Sequence, residues 1–235
     1  MRRFWTDVTV APDGDGHGIR LDARPVRTPG RVSLLLPNPA LAEAVADEWR
    51  AVGETLDLRA MPLTGLANAA IDRVAPDRRA FAATLSRYAD SDLLYYRATE
   101  PAPLVERQRA SWDPLLAWAR ARYDVHFVVV DGIMPRAQPP ATLDRLTEAV
   151  AARSAWELAG LSPVVTISGT LIGGLALVER AVDADAVWQA GQVDEDWQIE
   201  QWGEDALAVE ARETRRRDFD AGARFLALLD RAPAG

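Results

Sequence analysis

MPLTGLANAAIDRV, residues 61–74, marks the point at which the hydrophobic pattern of the chain changes. From here apolar residues recur at helical spacing, on one face of a predicted helix that carries Leu63, Leu66, Ala70, Ile71 and Val74. Before it, residues 4–10 alternate and a glycine-rich turn at 13–18 leads to a return strand. The change of period predicts an α+β fold. Residues 1–62 are expected to form a small antiparallel β-rich N-terminal domain with one covering helix, and 63–235 a larger all-helical C-terminal domain.

Composition excludes several kinds of chemistry. The 235 residues carry a formal charge of −8 and include no cysteine and no lysine. Disulfides, thiolate nucleophiles, thiolate metal sites, phosphate loops with lysine and Schiff bases are therefore excluded. An acidic chain is repelled by phosphate backbones, so we expect no nucleic-acid partner. We also expect no cofactor and no metal, since the two histidines have no metal-like spacing.

An enzymatic function is one of two alternatives. Carboxylates are plentiful, so a carboxylate-based hydrolase with an acidic cleft remains possible by counting alone. The chain has no Gly-x-Ser-x-Gly elbow and no Glu-x-x-His pair, which disfavours a serine hydrolase and a carboxylate metal site. We therefore expect a protein that is not an enzyme and has no catalytic residues.

Several helix boundaries can be predicted. Asn38 followed by Pro39 is a helix start, and Trp49 lies in the apolar stripe of that helix, where we expect it in the core. Asp113 followed by Pro114 predicts the start of another helix.

Residues 158–178 carry no charge over a length that could span a membrane. Pro163 and the glycines instead favour two buried helices joined near Gly169. Without a signal segment or cysteine, the chain is expected to be cytoplasmic, monomeric and not inserted in a membrane.

The stretch DEDWQIEQWGED, residues 194–205, holds six carboxylates, two tryptophans and no basic residue. In a helix, Asp196, Glu200 and Glu204 would share one face, where like charges repel. Trp197 and Trp202 lie about 140° apart on such a helix, so both are not expected to enter one core. An indole beside acids is typical of a protein-binding surface. A solvated acidic face with two core tryptophans is the alternative.

Four stretches together carry a family resemblance, and no single one is decisive. They are LDARPVRTP at 21–29, MPLTxLANxAID at 61–72, RQxxxWDP at 107–114 and DExWQxxxWGED at 194–205. In this order and spacing the chain, from about residue 3 to 229, resembles the assembly chaperones of the F-type ATP synthase alpha subunit. Val52, Ala69 and Tyr95 depart from the pattern of that family.

The resemblance implies a non-catalytic chaperone that holds the unassembled alpha subunit until the beta subunit replaces it. It also implies a small β-rich domain followed by a helical one. On this basis we predict that the partner binds at Asp194, Glu195, Asp196, Trp197, Glu200, Trp202, Glu204 and Asp205. We predict structural roles for Trp49, Asp72, Trp112 and Asp113.

Overall fold

The computed structural model describes residues 2–132 and 134–230. The described chain separates into two compact units. Unit 1 comprises residues up to 78, together with 154–160 and the segment from 221, and unit 2 comprises 79–153 and 161–220. The boundary between 1–62 and 63–235 stays a prediction. The units do not follow it, because two later segments belong to unit 1.

Unit 1 contains a small antiparallel sheet. Its strands are β1 (Val8–Asp13), β2 (Gly16–Leu21), β3 (Arg24–Pro25) and β4 (Leu35–Leu36). β2 is hydrogen-bonded to each of the other three strands. The turn between β1 and β2 uses Gly14 at a φ of 58°, a conformation that glycine adopts without a steric cost. The predicted α+β fold with an antiparallel N-terminus is confirmed.

The first helix, α1 (Pro39–Ala51), covers this sheet. It begins where predicted, because Asn38 accepts a hydrogen bond from the backbone N–H of Leu41 at 2.8 Å. Trp49 is 8% exposed, and its ring centre lies 5.5 Å from that of Trp5 in an edge-to-face contact. The core around these residues includes Ile19, Leu21, Leu34, Leu36, Leu41, Val45, Leu63, Phe225 and Leu228.

The helix predicted in residues 61–74 has two parts. α2 (Pro62–Ala69) is followed directly by a wider π-helical turn, Ala70–Val74. The first turn of α2 is capped by Glu48, whose carboxylate accepts from the backbone N–H of Leu63 at 2.8 Å and of Thr64 at 2.7 Å. Burial raises the pKa of Glu48, and the hydrogen bonds from Thr64 and Leu63 oppose that rise.

Asp72 lies in the π-helical turn and ties it to the loop before β4. Its carboxylate accepts from the Thr28 hydroxyl at 2.7 Å and from the Gly30 backbone N–H at 2.8 Å. A Cβ atom at position 30 would lie 2.6 Å from Asp72 Oδ1, so a larger residue there would require the Asp72 carboxylate to move. Asp72 therefore stabilises a loop of unit 1.

Most of the remaining chain is helical. The helices are α3 (Arg78–Ser86), α4 (Ala102–Tyr123), α5 (Pro140–Ala151), α6 (Ala155–Ser168), α7 (Leu171–Val178), α8 (Ala184–Trp202) and α9 (Ala206–Leu229). Two short strands, β5 (Tyr96–Arg97) and β6 (Val130–Asp131), form a parallel pair.

The helix start predicted at Asp113 is wrong. α4 begins at Ala102, and Pro114 lies inside it. Asp113 instead accepts a hydrogen bond from the Arg97 guanidinium at 2.7 Å. The same guanidinium lies 5.1 Å from the ring centre of Trp112. Trp112 is fully buried and donates through Nε1 to the Ala190 carbonyl at 2.8 Å, which fixes α4 against α8.

The uncharged run forms two helices, α6 and α7, that break at Gly169, where φ is 73°. The predicted break is therefore confirmed. Of the helices in the described chain, none combines the length and apolarity that a membrane span requires.

Asp92 caps two helical segments, one that begins near Leu94 and the other α7, and it is completely buried. One carboxylate oxygen accepts from the Leu94 N–H at 3.1 Å. The other accepts from the Thr170 hydroxyl at 3.1 Å and the Ile172 N–H at 3.0 Å. Burial raises the pKa of Asp92 to about 6 in spite of these three hydrogen bonds.

Candidate functional site

The acidic stretch lies on α8 and the turn that follows it. Asp183 caps the start of α8 by accepting from the Ala186 N–H at 2.8 Å. The helix ends at Trp202, because Gly203 adopts a φ of 81°. Glu204 consequently lies outside the helix, and its predicted place on one face with Asp196 and Glu200 is wrong.

Two acids of α8 pair with arginines of α9. Glu195 accepts from Arg215 Nη2 with both oxygens, at 2.6 and 2.8 Å. Asp196 pairs with Arg212. We expected unpaired acids that repel one another on this helix. That expectation is wrong, because arginines from a different part of the sequence neutralise their charge.

Glu200 pairs with α4. Arg107 donates to both of its oxygens at 2.7 Å, a bidentate geometry that fixes both side chains. The hydrogen bonds from Arg107 hold the pKa of Glu200 below its usual value. The same guanidinium lies 5.1 Å from the ring centre of the half-buried Trp197. Asp194 completes this side by accepting from Gln108 Nε2 at 2.7 Å.

The two tryptophans differ in exposure, as their spacing predicted. Trp197 is covered by Arg107, whereas Trp202 is 79% exposed at the last position of α8. Asp205 caps α9 by accepting from the N–H groups of Leu207 and Ala208, both at 2.9 Å. The end of α8 therefore presents a bare indole beside acidic side chains.

Sequence reasoning missed the arginines that pair with the acids. Arg107 is 93 residues from Glu200, and Arg215 is 20 residues from Glu195. The available signal was the run of arginines at 215–217, which is expected either in solvent or paired with nearby acids. It does not reveal which acid each arginine meets.

The hydrolase alternative has no support in this geometry. Within residues 2–132 and 134–230, no group of three or more His, Cys, Asp or Glu side chains is arranged to hold a metal. The two carboxyl groups with raised pKa values, Asp92 and Glu48, cap helices and line neither of two clefts found in unit 2. A catalytic acid or base would be expected at such a cleft.

Comparison with known proteins identifies the family. The model of the ATP12 chaperone protein family matches residues 2–120, half of the chain. The chain belongs to this family, and the resemblance found in the sequence is confirmed.

Solved structures agree over nearly the whole chain. Atp12 from Paracoccus denitrificans is 41% identical over 97% of both chains, with a TM-score of 0.89. A mutant of the same protein, with lysine in place of an aspartate, is 40% identical over 97% of both chains, with a TM-score of 0.89. The Atu1473 protein from Agrobacterium tumefaciens is 38% identical over 97% of this chain and 86% of its own, with a TM-score of 0.92.

Proposed function

We propose that this chain is an assembly chaperone that binds the unassembled alpha subunit of the F-type ATP synthase and keeps it from aggregating until the beta subunit replaces it. Membership of the ATP12 chaperone family carries the proposal. In this proposal the chain acts in the cytoplasm as a monomer and without catalysis.

The proposed mechanism is reversible covering. A ring subunit outside its ring exposes an apolar interface that aggregates unless it is covered. The chain has no lysine and hence no phosphate loop of the usual kind with which to drive release by nucleotide hydrolysis. Release must then come from competition, in which the beta subunit binds the same surface of the alpha subunit more tightly.

The proposed client site is the acidic and aromatic surface at the end of α8, formed by Asp194, Glu195, Asp196, Trp197, Glu200, Trp202, Glu204 and Asp205. Trp202 supports this assignment most directly, because a tryptophan that is 79% exposed has little stabilising role within the chain. Large aromatic side chains that become buried on binding contribute strongly to protein–protein affinity.

Co-purification tests the function and the site together. Tagged wild-type protein should retain the alpha subunit from cells that are assembling the synthase, and added beta subunit should release it. Trp202→Ala should weaken retention by about tenfold or more, as expected for an aromatic anchor. Leu58→Ala is the matched control, since Leu58 is also largely exposed, at 68%, but lies in unit 1.

Absence of the alpha subunit from the wild-type eluate would overturn the proposed function. Equal retention by the Trp202→Ala variant and wild type would leave the function standing and remove Trp202 from the site.

A further inference from the structure

A groove runs between α8 and the first half of α9, within unit 2. Its volume is about 760 Å³, and its lining residues are Trp188, Glu204, Val209, Glu210, Arg212, Glu213, Arg216 and Arg217. The apolar part consists of Trp188, which packs edge to face on Phe219 at 5.4 Å, and Val209, which is 36% exposed. Trp188 is 7% exposed, so this floor is firmly packed. The groove therefore offers a fixed apolar floor of a size that suits a large side chain.

Two of the three arginines that line the groove are already engaged in ion pairs. Arg212 pairs with Asp196, and Arg216 pairs with both Asp185 and Asp220. Arg216 also lies 5.1 Å from the ring centre of Trp188. These cations therefore have acidic partners inside the chain and do not leave positive charge free for a ligand.

The acidic side chains that line the groove differ from these arginines in their ion pairing. Glu204, Glu210 and Glu213 form no ion pair with any residue in 2–132 or 134–230. Among the residues that line the groove, only Arg217 offsets part of this negative charge. Arg217 donates to the Thr214 hydroxyl at 2.9 Å and has no carboxylate partner among the residues that the structure describes. The free charge of the groove is consequently negative.

We infer that this groove binds a segment of the client that carries one large apolar side chain flanked by arginine or lysine. The identity of that client rests on the proposed function. Trp188 and Val209 receive the apolar side chain, and the unpaired carboxylates receive its basic neighbours. Glu195, Asp196 and Glu200 are less suited to this role, because a client cation would first have to displace an arginine of the chain itself.

Charge reversal in the groove tests the inference. The double variant Glu210→Arg with Glu213→Arg should bind purified alpha subunit at least about tenfold more weakly than wild type, since two attractive contacts become repulsive. The matched control reverses Asp144 and Glu148 to arginine, two acids on α5 whose residues are also exposed. That control should bind within about twofold of wild type.

A second probe separates this inference from the proposed function. A synthetic peptide with one leucine flanked by arginines should bind wild-type protein in a titration calorimeter, and a version with glutamate at each arginine should not. The groove variant should lose peptide binding, whereas the α5 control should keep it.

Failure of wild type to bind the alpha subunit overturns the proposed function, and peptide binding then decides the groove by itself. Unchanged binding of both probes by the groove variant overturns the groove. If the double variant melts well below wild type, the neutral pair Glu210→Gln and Glu213→Gln replaces it, and a loss of several-fold is expected.

Discussion

Exchanging the two partners of the Glu195–Arg215 pair should separate structural pairing from client binding. The three variants are Glu195→Arg, Arg215→Glu and the double exchange. Each single change places two like charges where a bidentate ion pair was, whereas the exchange restores an ion pair with its ends reversed.

The magnitude follows from exposure. The side chains of Arg215 and Glu195 are 39% and 36% exposed, so the pair is partly screened by solvent. A pair of this kind stabilises the fold by up to about 1 kcal/mol, and like charges destabilise it by a similar amount. Each single reversal should therefore cost about 1–2 kcal/mol. For a chain of this size the melting temperature should fall by about 2–8 °C.

Thermal unfolding and client capture should be measured on the same preparations. The exchange should recover the melting temperature to within about 2 °C of wild type. Glu204→Arg is the control for melting alone, and it should melt within about 1 °C of wild type because Glu204 has no ion pair with the described residues. If the exchange melts no higher than the single variants, the pairing does not stabilise the fold and the reasoning is refuted. If it recovers stability but not client capture, then the carboxylate of Glu195 itself meets the client.

Three other substitutions test the fold. Trp49→Arg should lower the free energy of unfolding by about 3–5 kcal/mol and yield insoluble protein, since it removes buried packing and buries a charge. Trp202→Arg should stay soluble, and the soluble fractions of the two variants are compared. Glu48→Gln should lower the free energy of unfolding, measured by urea titration, by about 1–3 kcal/mol, because the new amide group faces backbone N–H groups. Glu43→Gln on the same helix is the control and should change the free energy of unfolding by less than about 1 kcal/mol. The folded pKa of Asp92 is about 6, above its unfolded value near 3.9, so its contribution to stability is present at pH 4 and is lost by pH 7. Asp92→Asn lacks this dependence, and its stability deficit relative to wild type should shrink by about 2 kcal/mol between pH 4 and pH 7; a constant deficit would contradict the raised pKa.

The elements that local sequence determines were predicted correctly. The start of α1 depends on Asn38 and Pro39, which act within one turn, and the break at Gly169 depends on a backbone conformation that glycine favours. The helical period after residue 61 likewise reflects neighbours in sequence and marks the change from strands to helices, whereas the alternation at 4–10 coincides with β1 only from Val8 onward.

Features that depend on distant residues were not predictable in this way. Asp113 and Pro114 have the composition of a helix start, yet α4 continues through them. Trp112 is anchored to α8, and Asp113 is engaged by Arg97, so tertiary contacts outweigh the local signal. The ion pairs of α8 are of the same kind, because an acidic stretch without basic residues gives no indication that α4 and α9 supply its arginines.

These internal pairs bear on how a chaperone of the proposed kind can release its client. Glu195, Asp196 and Glu200 are held in fixed orientations by arginines, so little side-chain freedom remains to be lost when a partner approaches. A client cation that meets them, however, gains only the difference between a new ion pair and an existing one. The net attraction must then come from the exposed indole of Trp202 and from the few unpaired acids. A surface of this composition favours moderate affinity, and moderate affinity is what allows a tighter native partner to displace the chaperone without an energy source.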